Sequence, residues 1–98
     1  MDKTFVLQGV LFEWDEEKYT VNLWKHNVKF EEAAEVFFDP EHQFGDASVE
    51  EKYREYIIGF SFRLNLLYIV FVERSDKIRI ISARPATKEE EKIYDRRK

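Results

Sequence analysis

The chain reads as a single α+β domain whose elements follow the order β-α-α-β-β-β-α, a mostly antiparallel sheet with helices packed on it. Three observations predict this class. Residues 53–84 hold three β-prone runs joined by short links, and neighbouring strands joined that tightly must run antiparallel. Phe30, Ala33, Ala34 and Phe37 recur at the i, i+3, i+4, i+7 spacing of a buried helix face. Ninety-eight residues, 44% of them hydrophobic, suit one domain over 1–98. Nine Phe, five Tyr and two Trp supply its core, because each ring buries ~150–250 Å².

Phe5 to Trp14 is β-prone throughout and predicts an opening strand. Asp15 suits a helix N-cap, with Glu16 and Glu17 at the positive end of the helix dipole. That helix carries Tyr19 and Leu23 on one stripe and Lys18, Asn22 and Lys25/His26 on another. Asn27 tolerates the left-handed conformation that closes it. A second helix starts near Phe30 and ends at Asp39-Pro40, since proline cannot continue the hydrogen-bond ladder. Residues 40–50 are polar, contain Gly45 and read as a surface loop.

Three strands follow at about Tyr53–Phe60, Leu66–Arg74 and Lys77–Arg84, linked by residues 61–65 and by Ser75-Asp76. Both faces of Leu66–Arg74 are largely apolar, so it is expected at the centre of the sheet with cover on both sides. Pro85 stops the last strand, and Thr87-Lys88-Glu89-Glu90 is a capping box that starts a C-terminal helix. This helix has only Ile93 and Tyr94 as apolar anchors. It is therefore expected to be loosely held, with Arg96-Arg97-Lys98 fraying.

Without cysteine, disulfides and thiolate metal sites are excluded. His26 and His42 show no ligand spacing, so neither a metal nor another cofactor is expected. Met1-Asp2-Lys3 opens no long apolar run, and no stretch approaches the ~20 apolar residues that span a bilayer. The expectation is a cytoplasmic protein with no membrane partner. The net charge of −4 is uneven: residues 73–98 carry nine Lys/Arg against six Asp/Glu. A basic segment on an acidic body is a weak footprint for a polyanion, and equally suits a solvated surface.

Several motifs taken in order resemble the BrnT family of toxins, within the RelE-like group. In the front half these are Phe12-Glu13-Trp14-Asp15, Lys18, Asn22, Lys25-His26 and Val28-Lys29-Phe30-Glu31-Glu32-Ala33. In the back half they are Asp39-Pro40, Ile58-Gly59, Glu73-Arg74, the run from Ile78 to Thr87, Glu90 and Tyr94. The likeness runs from about residue 12 to 95; the family usually has glycine where Asn27 stands, and residues 1–11 fall outside it. The resemblance implies a RelE-like fold and a metal-independent endoribonuclease that halts translation. It also implies neutralisation by a cognate BrnA-type antitoxin, through which alone the pair reaches operator DNA to repress its own operon.

Metal-free RNA cleavage by 2′-hydroxyl attack needs a base, an acid and cations for the charge that builds on phosphorus. The His26 imidazole suits acid or base, and Glu73 suits a base. Lys25, Arg74 and Arg84 suit the phosphate, arginine by its bidentate fork. Arg79, Lys18 and Arg63 join them as RNA-binding candidates. Each has a plain alternative: His26 as a helix-end cap, Lys25 as a solvated side chain, Glu73-Arg74 as guards of a strand end. Regular alternation puts Arg79 and Arg84 on opposite faces, so they share a site only if a bulge or bend lies between them. The competing function is a non-catalytic partner-binding or RNA-binding module on the same fold.

Overall fold

The computed structural model describes residues 1–96. The strands are β1 (Asp2–Leu7), β2 (Val10–Asp15), β3 (Gln43–Asp46), β4 (Glu55–Phe60), β5 (Leu66–Arg74) and β6 (Lys77–Pro85). The helices are α1 (Glu16–His26), α2 (Phe30–Glu35) and α3 (Lys88–Asp95), with a 3₁₀ turn at Val36–Phe38. One six-stranded sheet has the order β1-β2-β6-β5-β4-β3. Every pairing is antiparallel except β2 with β6, which run parallel through Leu11–Glu13 against Lys77–Arg79. The α+β class and the mostly antiparallel sheet are as expected, and β5 lies inside it between β4 and β6.

Two details differ from the sequence reading. The expected single strand from Phe5 to Trp14 is a hairpin, because Gln8 and Gly9 both take positive φ (49° and 82°). Two such residues make the turn whose twist matches a β-hairpin. The expected loop at 40–50 contains the short edge strand β3, paired to β4. A Cβ at its Gly45 would stand 2.6 Å from the Tyr56 hydroxyl, so any larger residue there would displace the Tyr56 ring.

The core lies on one face of the sheet under α1 and α2. Phe12, Trp14, Phe30, Ala33, Ala34, Ile69 and Ile80 are essentially sealed. Trp14 meets Tyr19 and Phe30 edge-on, while Tyr19 and Phe30 stack at 4.9 Å. In β5 the alternation is clear: Leu67, Ile69 and Phe71 are buried, whereas Leu66, Tyr68, Val70 and Val72 are half-buried. The second face is thus only partly covered, by α3 and by the sheet's own long side chains. There Tyr56 and Tyr68 stack, and the Arg84 guanidinium sits 4.4 Å from the Tyr68 ring centre.

Residue α3 Tyr94 is buried and packs edge-on against Phe60. Its hydroxyl donates to Asp39, whose carboxylate also accepts from the Phe60 and Glu41 amides. The helix is therefore fixed by polar bonds as well as by its two apolar anchors, more firmly than the apolar count implied. The fraying expected of Arg97 and Lys98 lies outside the described residues.

Candidate active site

An open groove of about 450 Å³ separates α1 from the end of β6. One wall is α1, contributing Glu17, Lys18, Val21, Asn22, Lys25 and His26; the other is Ile81 and Ser82. The groove exists because β2 leaves the sheet at Asp15, after pairing with only the first three residues of β6. Asn22 takes the vacated place. Its Oδ1 accepts from the Ala83 amide (3.0 Å) and its Nδ2 donates to the Ala83 carbonyl (2.8 Å) and the Val28 carbonyl (3.3 Å). One buried side chain thus satisfies both backbone groups of Ala83, as a paired strand would.

Lys25 and His26 form the last turn of α1, which Asp15 caps at its start and Asn27, at φ 56°, closes at its end. Both line the groove. His26 also lines a second depression with Glu32, Asn65, Pro85 and Glu91, so it stands where the two meet. Lys18 lies two turns below Lys25 on the same wall. The groove is therefore acidic where α1 begins and basic where it ends.

The remaining candidates are distributed more widely. In β6, Val70 faces Ser82 while Phe71 faces Ile80, so Ile81 is bulged out of register. The bulge puts Arg79 and Arg84 on the same face, opposite Val72 and Tyr68, about 13 Å apart along the strand at ~3.3 Å per residue. Arg79 is held by Asp2 through two bonds of 3.1 Å and lies 3.3 Å from the buried Glu13. Arg74 and Lys77 stand within 4 Å of that same carboxylate.

Because β5 and β6 are antiparallel, Arg74 and Arg84 end at opposite ends of the pair: Arg74 faces Lys77, Arg84 faces Tyr68. Six residues of strand, about 20 Å, separate them. Glu73 lines a different, mainly apolar cavity with His42, Phe44 and Glu55. Arg63 is exposed in the turn between β4 and β5. The structure brings together Lys18, Lys25 and His26, and does not bring Glu73 or Arg74 to them.

Arg84 is engaged by α3. Its two terminal nitrogens donate to both oxygens of Glu90 at 2.7 and 2.8 Å. Glu90 also accepts from the Thr87 amide in the capping box. Burial works against the Glu90 charge, yet the Arg84 fork and the Thr87 amide outweigh it and hold its pKa below the ordinary value. Asp39 is likewise depressed: burial opposes its charge, and the Phe60 and Glu41 amides and the Tyr94 hydroxyl prevail.

Groups with depressed folded-state pKa values stabilise the fold fully above their unfolded values, and that stabilisation is lost as pH falls through the folded ones. With ordinary values of 4.5 and 3.8, α3 should loosen progressively below about pH 4.5, before the sheet melts. Amide exchange followed from pH 6 to pH 3 checks this. Residues 88–95 should lose protection ahead of β5, and simultaneous loss would contradict it.

Asn22 and Glu90 are the residues whose roles sequence reasoning missed. Asn22 stood on the right helical stripe, and Glu90 was read only as a helix cap. Among the described residues no cluster of three His, Asp or Glu side chains converges as a metal site would require, and no helix is long and apolar enough to cross a membrane.

A family model described as the ribonuclease toxin BrnT of type II toxin–antitoxin systems matches residues 14–90. Among solved structures, the crystal structure of the ribonuclease toxin BrnT from Brucella abortus is similar. It is 25% identical, with a TM-score of 0.59, over 76% of this chain and 94% of that one. No curated protein matches. The family match takes in both walls of the groove, and the solved structure has the same sheet-and-helix fold: the chain belongs to the BrnT family of ribonuclease toxins of type II toxin–antitoxin systems.

Proposed function

We propose that the protein is a metal-independent endoribonuclease acting in the cytoplasm, which cleaves RNA and so halts translation. The observation that carries this reading is the pairing of Lys25 with His26 at the basic end of an open groove, on a helix end that Asn22 locks to β6. A phosphate seated there meets a cation and an imidazole, a group able both to take and to give a proton. The chemistry needs one proton moved to and one from that place. The 2′-hydroxyl loses its proton and its oxygen attacks the adjacent phosphorus. The bond from phosphorus to the 5′-oxygen breaks, and that oxygen takes up a proton. The products are a 2′,3′-cyclic phosphate and a 5′-hydroxyl end. Lys25 and Lys18 draw in the backbone, and Arg84 adds its fork when Glu90 lets go.

Glu73, Arg74, Arg79 and Arg63 lie along RNA extended from the groove rather than beside the scissile bond. A cognate BrnA-type antitoxin neutralises the toxin by covering the groove, and the pair reaches operator DNA only through that antitoxin. The test is cleavage of RNA by the purified protein in excess chelator, with the ends characterised. Fragments bearing cyclic phosphate and 5′-hydroxyl ends are expected. Intact RNA in vitro, together with intact total RNA after induction in cells, would refute the proposal.

A further inference from the structure

The depression that meets the groove at His26 has a volume of about 510 Å³ and is lined also by Glu32, Phe60, Leu64, Asn65 and Pro85. Its charge is the reverse of the groove's basic end. No Lys or Arg among the described residues lines it, and Glu91 adds a second carboxylate. Glu32 is held in place: its Oε2 accepts from the Ser61 hydroxyl at 2.8 Å and from the Asn65 side-chain amide at 2.7 Å. Its Oε1, and the Oδ1 of Asn65, have no donor among the described residues. One bonded pair of side chains thus brings two free acceptors to the depression. Leu64 is unusual for a different reason. It is 75% exposed and takes a φ of 66°. The Leu64 amide donates to the Ser61 carbonyl, and the Ser61 amide to the Asn65 carbonyl. This is the three-residue hairpin loop whose last position is ordinarily glycine. A leucine there strains the backbone and gains no burial, and strain of that kind gathers at ligand clamps.

We propose that this depression is a nucleobase subsite selective for guanine, taking the base that adjoins the phosphate held at Lys25 and His26. Leu64 packs on the face of the base, and Glu32 and Asn65 accept from its edge. The proposal rests on the endoribonuclease reading above and names the RNA that site selects. Single-stranded RNA is read through the Watson–Crick edges of its unstacked bases. Of the four bases, only guanine offers two neighbouring donors there, N1–H and the N2 amino group. Adenine and cytosine set one amino group beside a bare ring nitrogen, and uracil sets one N–H between two carbonyls. Each of these brings a lone pair against Glu32 or Asn65, which have only acceptors left to give. The carboxylates also repel a phosphate, so the backbone keeps to the basic side of His26 and the base alone enters.

The test is the initial rate of the purified protein, in excess chelator, on oligonucleotides that differ only at the position flanking the cut. Guanine, inosine, adenine, cytosine and uracil are compared there. Inosine lacks only the N2 amino group of guanine. Replacing guanine by inosine should lower wild-type kcat/KM by about 5- to 150-fold, the usual discrimination of one bidentate contact to a base. In Glu32→Gln that penalty should vanish. Glutamine keeps an oxygen for Ser61 and Asn65 but sets an N–H where the free acceptor stood. Leu64→Gly should raise KM for the guanine oligonucleotide with little change in kcat. Its thermal midpoint should not fall, since glycine takes a φ of 66° without strain. A leucine of merely structural value would give the opposite pair, a lower midpoint and an unchanged KM.

Equal wild-type rates on guanine and inosine, or a preference for another base, would overturn this proposal and leave the ribonuclease reading standing. Wild-type protein that cleaves neither these oligonucleotides nor total RNA would overturn both. Should Glu32→Gln fail to fold, the inosine comparison on wild type and the Leu64→Gly variant still decide the matter. A Leu64→Gly protein that cleaves normally but no longer binds its antitoxin would assign the depression to a basic side chain of that partner, against the proposal.

Discussion

Replacing either Lys25 or His26 with alanine should lower RNA cleavage by about 100- to 1000-fold, the usual cost of losing one positioned acid, base or phosphate cation. The folded state should barely notice. Lys25 is exposed and His26 half-buried, and Asn27 closes the helix through the Leu23 carbonyl without either of them. Both side chains favour the negative end of the α1 dipole, which is worth about 0.3–1 kcal/mol at such a surface. A shift of a few degrees in thermal midpoint is the expected structural cost. Arg84→Ala needs a companion, because it also removes the partner of Glu90. If Arg84 serves the phosphate, Arg84→Ala loses activity and Glu90→Gln does not. If the pair is only a staple for α3, the two variants lose activity and α3 protection alike. Initial rates on a defined RNA, beside thermal unfolding of each variant, decide the matter. Folded Lys25→Ala and His26→Ala proteins with wild-type rates would remove the site from α1.

Asn22→Ala should be the most damaging polar substitution of the groove, costing about 2–4 kcal/mol and on the order of 10–20 °C in thermal midpoint. The buried amide and carbonyl of Ala83 would lose their partner together, and each unsatisfied buried group costs about 1–3 kcal/mol. Asn22→Asp is the informative control. It keeps an oxygen for the Ala83 amide but turns a second oxygen towards the Ala83 and Val28 carbonyls. It should not rescue stability. Because the Asn22 side chain bonds α1 to the backbone of β6, cleavage should fall even at temperatures where the variants are folded. Urea denaturation of the three proteins supplies the energies. An Asn22→Ala protein within 0.5 kcal/mol (~0.5 kcal/mol being the range of ordinary surface substitutions) would contradict this account.

The fold was legible wherever short-range chemistry decides it. The Asp15 and Asn27 caps, the Thr87 capping box and the central place of β5 could be read from residue types and spacing, and all are present. The opening hairpin was not seen, because glutamine replaces the asparagine or aspartate that usually precedes glycine in such a turn. The edge strand β3 was not seen, because Phe44 is its one large apolar residue.

For the candidate site, local spacing placed Lys18, Lys25 and His26 on one stripe of α1, and they line one groove. Pairings across the chain were not legible: Arg79 with Asp2, Arg84 with Glu90, Asn22 with the backbone of Ala83. The condition attached to Arg79 and Arg84, a bulge between them, is met at Ile81. The wide separation of Arg74 from Arg84 was implicit in the antiparallel hairpin itself, since the C-terminal ends of two such strands point opposite ways.

The groove has one wall from residues 15–26 and the other from residues 81–82, bridged by a contact across 61 positions of sequence. During synthesis α1 is complete long before β6 exists, and β2 must likewise wait for its parallel partner. Contacts so distant in sequence form late. The groove is therefore absent from every nascent chain that stops short of Ser82, because until then α1 has no second wall to face.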